Sequence, residues 1–150
     1  DTIANNIAFG QESASLEMIQ RAAKAAGVSK DIEGFTDGYN TILGERGINL
    51  SGGQKQRISI ARALIREPEL LILDDCLSAV DINTEKHILK SLHKNEVNRS
   101  SLVVSHRIST IEGADLILVL DNGFIKERGT HKELTELGGL YSEMLLKQDV

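Results

Sequence analysis

One cysteine, one proline and no tryptophan occur in the 150 residues. A lone thiol, Cys76, excludes an internal disulfide and fits a reducing compartment, with cytosolic exposure as the default. No apolar run approaches the roughly 20 residues that cross a bilayer, and the start Asp1-Thr2-Ile3-Ala4 has neither a basic n-region nor a long apolar h-region. Any membrane link has to come through a partner or another segment. Methionine is missing from position 1, which suggests a piece of something longer. Basic charge is also scarce: a net charge of -5 and a pI near 5.4 argue against a general nucleic-acid surface. The only basic cluster, Lys55, Arg57 and Arg62, has helical spacing. Finally, no G-x-x-x-x-G-K-[ST] phosphate loop lies between Asp1 and Val150.

What is present suffices for a globular domain, or a large piece of one, since 41% of the residues are hydrophobic. Residues 2–35 read as helical, with Leu16, Ile19, Ala22, Ala23 and Ala26 on one face and Gly27 as the stop. Gly34, Gly38, Gly44 and Gly47 then break the chain into turns, with Glu45 and Arg46 on a loop. Residues 51–66 form an amphipathic helix with Ile58, Ala61 and Ile65 in a stripe, Leu64 beside it, and Lys55, Arg62 and Arg66 facing elsewhere; Pro68 closes it. Thereafter strand and helix alternate: strands at 70–74 and 102–105, helices at 83–93 and 108–113. A hairpin follows, 116–120 meeting 124–128 across Asp121-Asn122-Gly123, and two short helices end the chain. The fold class is therefore α/β with buried parallel strands, preceded by a helical part; the expected division is 1–66 and 67–150.

Two segments carry chemistry. In Leu50-Ser51-Gly52-Gly53-Gln54, Ser51 and Gln54 stand three apart at a helix start, an ordinary capping box that needs no ligand. Capping does not explain Gly52 and Gly53, which weaken the first turn yet let an anion touch bare backbone N–H groups at the positive end of the helix dipole. The apolar run Leu70-Leu71-Ile72-Leu73 ends in Asp74-Asp75; alone it reads as a core strand whose first polar residue meets solvent, but placed close after the glycine helix it matches a strand whose terminal carboxylate seats magnesium in phosphate-transfer sites. Asp81 suits the N-cap of the next helix. His106, where the strand 102–105 ends, can reach toward a phosphate lying over the strand ends. His87, His93 and His131 have no partner at metal spacing and are expected at the surface; Cys76 is expected to be a small, unreactive, buried thiol.

These residues resemble the nucleotide-binding domain of ATP-binding cassette (ABC) proteins, over essentially the whole chain. LSGGQ corresponds to the signature, LLILDD to Walker B, Ser78-Ala79-Val80-Asp81 to the D-loop and Ser105-His106 to the switch histidine. Gly44-Glu45-Arg46-Gly47 looks like the X-loop of the exporter branch, and Thr2 to Ile7 like the segment after its Q-loop. The resemblance implies a partial P-loop NTPase core with an all-helical signature subdomain, in a protein that binds ATP and Mg2+ and hydrolyses ATP to drive export. It implies cofactor contacts at Ser51, Gly52, Gly53, Gln54, Ser78 and Asp81, a metal contact at Asp74, and catalytic roles for Asp75 and His106. Two such domains meet head to tail, as homo- or heterodimer, each signature closing on the partner's ATP. The Glu45-Arg46 loop would meet the transmembrane domain at the cytoplasmic face of the membrane, and nucleic acid is not an expected partner.

One departure bears on mechanism. Most of the family has glutamate where this chain has Asp75, one methylene shorter, and a base must come within about 2.6 to 3.2 Å of its proton. A misplacement on the order of 1 Å can cost about 10²-fold in rate. The sequence Asp-Asp-Cys-Leu-Ser-Ala-Val-Asp is similar to the slow half of heterodimeric multidrug exporters. In the related fold the Walker A strand lies between the strands at 102–105 and 116–120, so its absence here implies a slot in the sheet flanked by apolar surface. The 150 residues alone are accordingly expected not to bind ATP tightly or turn it over. The rival readings are a non-enzymatic docking module and a DNA-repair cassette; the acidic balance and the lack of a coiled-coil insertion oppose the second.

Overall fold

The structure, a computed structural model, describes residues 1–44, 50–94 (side chains through Leu92) and 99–148. It divides into two compact units, Asp1–Leu102 and Val103–Val150, the boundary falling inside a strand.

The first unit begins with three helices in place of one long helical stretch: α1 (Ile3–Ile7), α2 (Leu16–Ala25) and α3 (Ser29–Glu33). Positive φ at Gly27, just past the Ala26 cap, ends α2, because a left-handed turn is open to glycine at no steric cost; Gly10 takes positive φ in the turn that follows α1. Thr2 and Ser15 cap α1 and α2 by accepting from Asn5 N and Met18 N. Ile19, Ala22, Ala23 and Ala26 are buried as the periodicity requires, whereas Leu16, at the first position of α2, is exposed. A single 3₁₀ turn, Gly38–Asn40, follows.

Helix α4 (Gly52–Leu64) packs against α1 and α2 through Ile58, Ala61 and Leu64. Arg62, off that apolar stripe as expected, is half-buried: its Nε donates to the Asn6 carbonyl at 2.7 Å and its guanidinium lies over Phe9, tying α4 to the end of α1. Strand β1 (Leu70–Asp74) buries Leu71 and Leu73 and leaves Leu70 and Ile72 exposed. Helix α5 (Ile82–Lys94) is the crossover to β2 (Ser100–Val104), which pairs with β1 in parallel. Among the described residues β1 is thus covered on one face, while no residue of β2 is buried and only Val103 is half-buried, so the expectation of buried strands holds for one face of β1.

The second unit holds α6 (Ile108–Ile111), the antiparallel hairpin β3 (Ile117–Asp121) and β4 (Phe124–Gly129), α7 (His131–Leu137) and α8 (Leu140–Gln148). Asn122 and Gly123 both take positive φ, the geometry of the two-residue turn that matches strand twist. Ile108, Ile117, Val119, Leu134 and Tyr141 form its core. Among the described residues β1–β2 and β3–β4 are separate two-stranded sheets. No described helix is long and apolar enough to cross a membrane.

Candidate functional site

The first turn of α4 is held by reciprocal bonds. Ser51 Oγ accepts from Gln54 N at 3.2 Å, and Gln54 Oε1 accepts from Ser51 N at 3.0 Å. The cap thus satisfies the third amide of the helix. Those of Gly52 and Gly53 precede the first intrahelical bonds and have no carbonyl within the helix to accept them. Gly52 is exposed, and an added Cβ there would meet nothing nearer than Ala79 Cβ at 3.8 Å.

Beneath this turn lies a charged strut that sequence pattern alone did not reveal. Gln54 Nε2 donates to Asp31 Oδ1 at 2.9 Å, and Arg57 Nη1 meets Asp31 Oδ2 at 2.8 Å. The same guanidinium donates to the carbonyls of Gly27 at 2.7 Å and Gly53 at 3.2 Å. Burial acts to raise the Asp31 pKa, but hydrogen bonds from Gln54 and Arg57, with the charge of Arg57, outweigh it and hold the carboxyl below its usual value. Arg57 is therefore an internal tie. Its i+4 spacing from Gly53 was a legible hint, while Asp31 is 26 positions away in sequence.

Asp74 closes β1 and is exposed, as is Asp75, whose φ of 44° lies in the left-handed region that aspartate tolerates better than most residues. Ser78 Oγ donates back to the Asp75 carbonyl at 3.0 Å, and buried Leu77 and Val80 anchor the loop. Asp81 caps α5, its Oδ1 accepting from Asn83 N at 3.1 Å and Thr84 N at 3.0 Å. The Thr84 bonds, together with that from Asn83, outweigh slight desolvation and lower its pKa. Cys76 is half-buried, and burial, with Asp75 and Asp74 adding to it, pushes its thiol pKa up, as befits an unreactive group.

The loop and the helix start touch. A Cβ built on Gly53 would lie 2.8 Å from the Ala79 carbonyl oxygen. Gln56 Nε2 donates to Ser78 Oγ at 3.2 Å, and its Oε1 accepts from Ala79 N at 3.0 Å. Ser51, Gly52, Gly53, Gln54, Asp75, Ser78 and Asp81 thus belong to one connected assembly within the first unit. Close packing is thus a reason for glycine at 53 in addition to phosphate contact.

In the second unit His106 is exposed just beyond β2. Its carbonyl accepts from Gln148 Nε2 at 2.6 Å, and Gln148 Oε1 accepts from Ile108 N at 2.8 Å, so the end of α8 fixes the backbone there. His87 is exposed, while His131 corrects the surface expectation: its Nδ1 lies 2.8 Å from the Tyr141 hydroxyl, in a partly buried pair. The side chain of His93 and the Glu45-Arg46 loop lie outside the described residues.

Comparisons with known proteins agree in direction. The family model described as ABC transporter matches residues 2–78. A probable multidrug resistance ABC transporter ATP-binding/permease protein, YheI of Bacillus subtilis (strain 168), is 48% identical over 149 residues, covering 99% of this chain and 26% of its own length. ATP-binding cassette sub-family B member 6 of Rattus norvegicus is 49% identical over 144 residues, 96% of this chain and 17% of that protein. A solved structure of a bacterial Atm1-family ABC exporter with ATP bound superposes with a TM-score of 0.95 at 43% identity, covering 100% of this chain and 26% of that one. The chain thus spans about a quarter or less of the proteins it matches.

Proposed function

Because the chain belongs to the ABC transporter family, we propose that it is part of the ATP-binding and ATP-hydrolysing domain of an exporter. Residues 1–66 act as the signature subdomain and 67–150 as the Walker B half of the α/β core. In this reading the amides of Gly52 and Gly53, with Ser51 and Gln54, close on the terminal phosphate of ATP held by a second nucleotide-binding domain, identical or different. The positive end of α4 and its unpaired N–H groups favour that anion. Ser78 and Asp81 line the same contact from the loop after β1.

Magnesium takes few protein ligands, one or two carboxylates beside phosphate and water. Asp74, exposed at its strand end with no cluster of three ligating side chains among the described residues, fits that sparse mode and not a closed cage. Bound Mg2+ supplies charge neutralisation at the phosphates. Asp75 serves as the base that orients or deprotonates water, with short reach and hence slow turnover, and His106 faces the γ-phosphate. The Glu45-Arg46 loop meets the transmembrane domain at the cytoplasmic face.

The observation that supports this reading best is the pair of glycine amides, Gly52 exposed and Gly53 half-buried, that precede the first intrahelical bond beside a cap that already serves Gln54. Gly52→Asp in the full transporter tests it. A carboxylate in the first turn favours the helix by about 0.3–1 kcal/mol, so folding should hold or improve. The same charge repels phosphate, and ATP turnover should fall by at least about tenfold; unchanged turnover would refute the contact.

A further inference from the structure

Gln56 belongs to none of the motifs, yet it makes two bonds across 22 and 23 positions of sequence, to Ser78 Oγ and from Ala79 N. Its side chain leaves α4 one turn after Gly52, beside the point where Gly53 approaches the Ala79 carbonyl too closely for any Cβ. Ser78 in turn holds the Asp75 carbonyl, through its hydroxyl at 3.0 Å and its amide at 3.4 Å. A continuous path of short polar contacts therefore runs from the first turn of α4 through Gln56 and Ser78 to the backbone of Asp75, whose left-handed φ needs external support.

We infer that Gln56 is a positioning residue: it clasps the loop of Ser78 and Ala79 to α4, so that the phosphate-contacting turn and the Asp75 turn move as one body. The inference rests on the proposed function of those two turns and adds the residue that joins them. Two features give it force. Both ends of the Gln56 amide are used, and an amide with both ends engaged fixes the loop in position and in rotation. The Gly53 contact removes free space between helix and loop, so the loop has no room to settle lower if the clasp is lost. Without Gln56 the loop of Ser78 and Ala79 loses two of its ties to α4, and the Asp75 turn that Ser78 holds shifts relative to the helix, which affects the chemical step and not the capture of nucleotide.

The test uses the full transporter with Gln56→Met, which keeps length and helix propensity but makes neither bond, and Gln56→Glu, which keeps the acceptor for Ala79 N. Nucleotide affinity, kcat and melting temperature are measured for each, with Gly52→Asp alongside. The expected result is a kcat about tenfold lower for Gln56→Met, ATP affinity within about twofold of the parent, and partial recovery of kcat in Gln56→Glu. Unchanged kcat in Gln56→Met overturns the clasp, as does a loss of kcat matched by lost affinity and melting temperature, which marks simple unfolding. If Gly52→Asp retains full turnover, the phosphate-contact reading fails instead, and the two failures are thereby separable.

Discussion

The Arg57 guanidinium sits 2.8 Å from the Asp31 carboxylate and also holds the Gly53 carbonyl, so a charge on α3 fixes the turn that carries the signature glycines. Both side chains are largely shielded, which makes this pair more consequential than the exposed Arg21–Glu67 bridge. Because the folded pKa of Asp31 lies below the ordinary carboxyl value, its stabilisation is complete above that value and is lost as pH falls through the lower folded one. Asp31→Asn should therefore lower stability at neutral pH by about 1–3 kcal/mol, with the gap from the parent narrowing below about pH 4. Denaturant midpoints across pH 2.5–7, roughly the titration span of a carboxylate, check both signs; a gap constant with pH would contradict the pairing.

Gly52 and Gly53 should respond oppositely to alanine. Replacing glycine gains up to about 1 kcal/mol of helix propensity, and at Gly52, with 3.8 Å of clearance, nothing opposes it. At Gly53 the new methyl would press on a backbone carbonyl at 2.8 Å, and such overpacking costs about 1–3 kcal/mol. Thermal melts of Gly53→Ala should show destabilisation and those of Gly52→Ala none; equal melting temperatures would mean that the loop yields freely.

Asp75→Glu is expected to trade stability for rate. Left-handed backbone costs roughly 1–2 kcal/mol for residues without aspartate's short polar side chain, so the melting temperature should drop. The longer side chain recovers about 1 Å of reach, and turnover by the full transporter should rise by about ten- to a hundredfold. Steady-state ATPase assays decide it, and a rate at or below that of the parent refutes the short-base argument.

Equilibrium dialysis of the 150 residues with labelled ATP should give no binding at micromolar concentration. The lysine and the glycine-rich cradle that grip the phosphates in P-loop proteins do not occur in this sequence. Micromolar affinity would show that the α4 turn and β1 end suffice by themselves.

Much of the chain was legible as sequence. The strand at Leu70–Asp74 and the cap Ser51–Gln54 lie where read, because a short apolar run bounded by turn residues and an S-x-x-Q step are local signals. The hairpin was equally local, since Asn122-Gly123 alone suits its turn. His131, expected at the surface, is partly buried because its partner Tyr141 comes from another element, and the tie from Arg62 to Asn6 is invisible in sequence for the same reason. The expected burial of the strands holds for Leu71 and Leu73 of β1 only: an apolar run records what a strand tolerates, and not what covers it.

Residue order by itself determined the chemistry on offer: glycine amides at a capped helix start, a carboxylate pair closing an apolar strand, and an aspartate one methylene shorter than the family's usual glutamate. These follow from side-chain type and from periods of a few residues, which nearest neighbours enforce. Only the tertiary structure decided that the helix start and the carboxylate loop are one piece, through Gln56 and Gly53, and that the Asp31–Arg57 tie holds the same helix start to α3. Such contacts join positions 22 to 26 residues apart, where distance along the chain carries no information about distance in space.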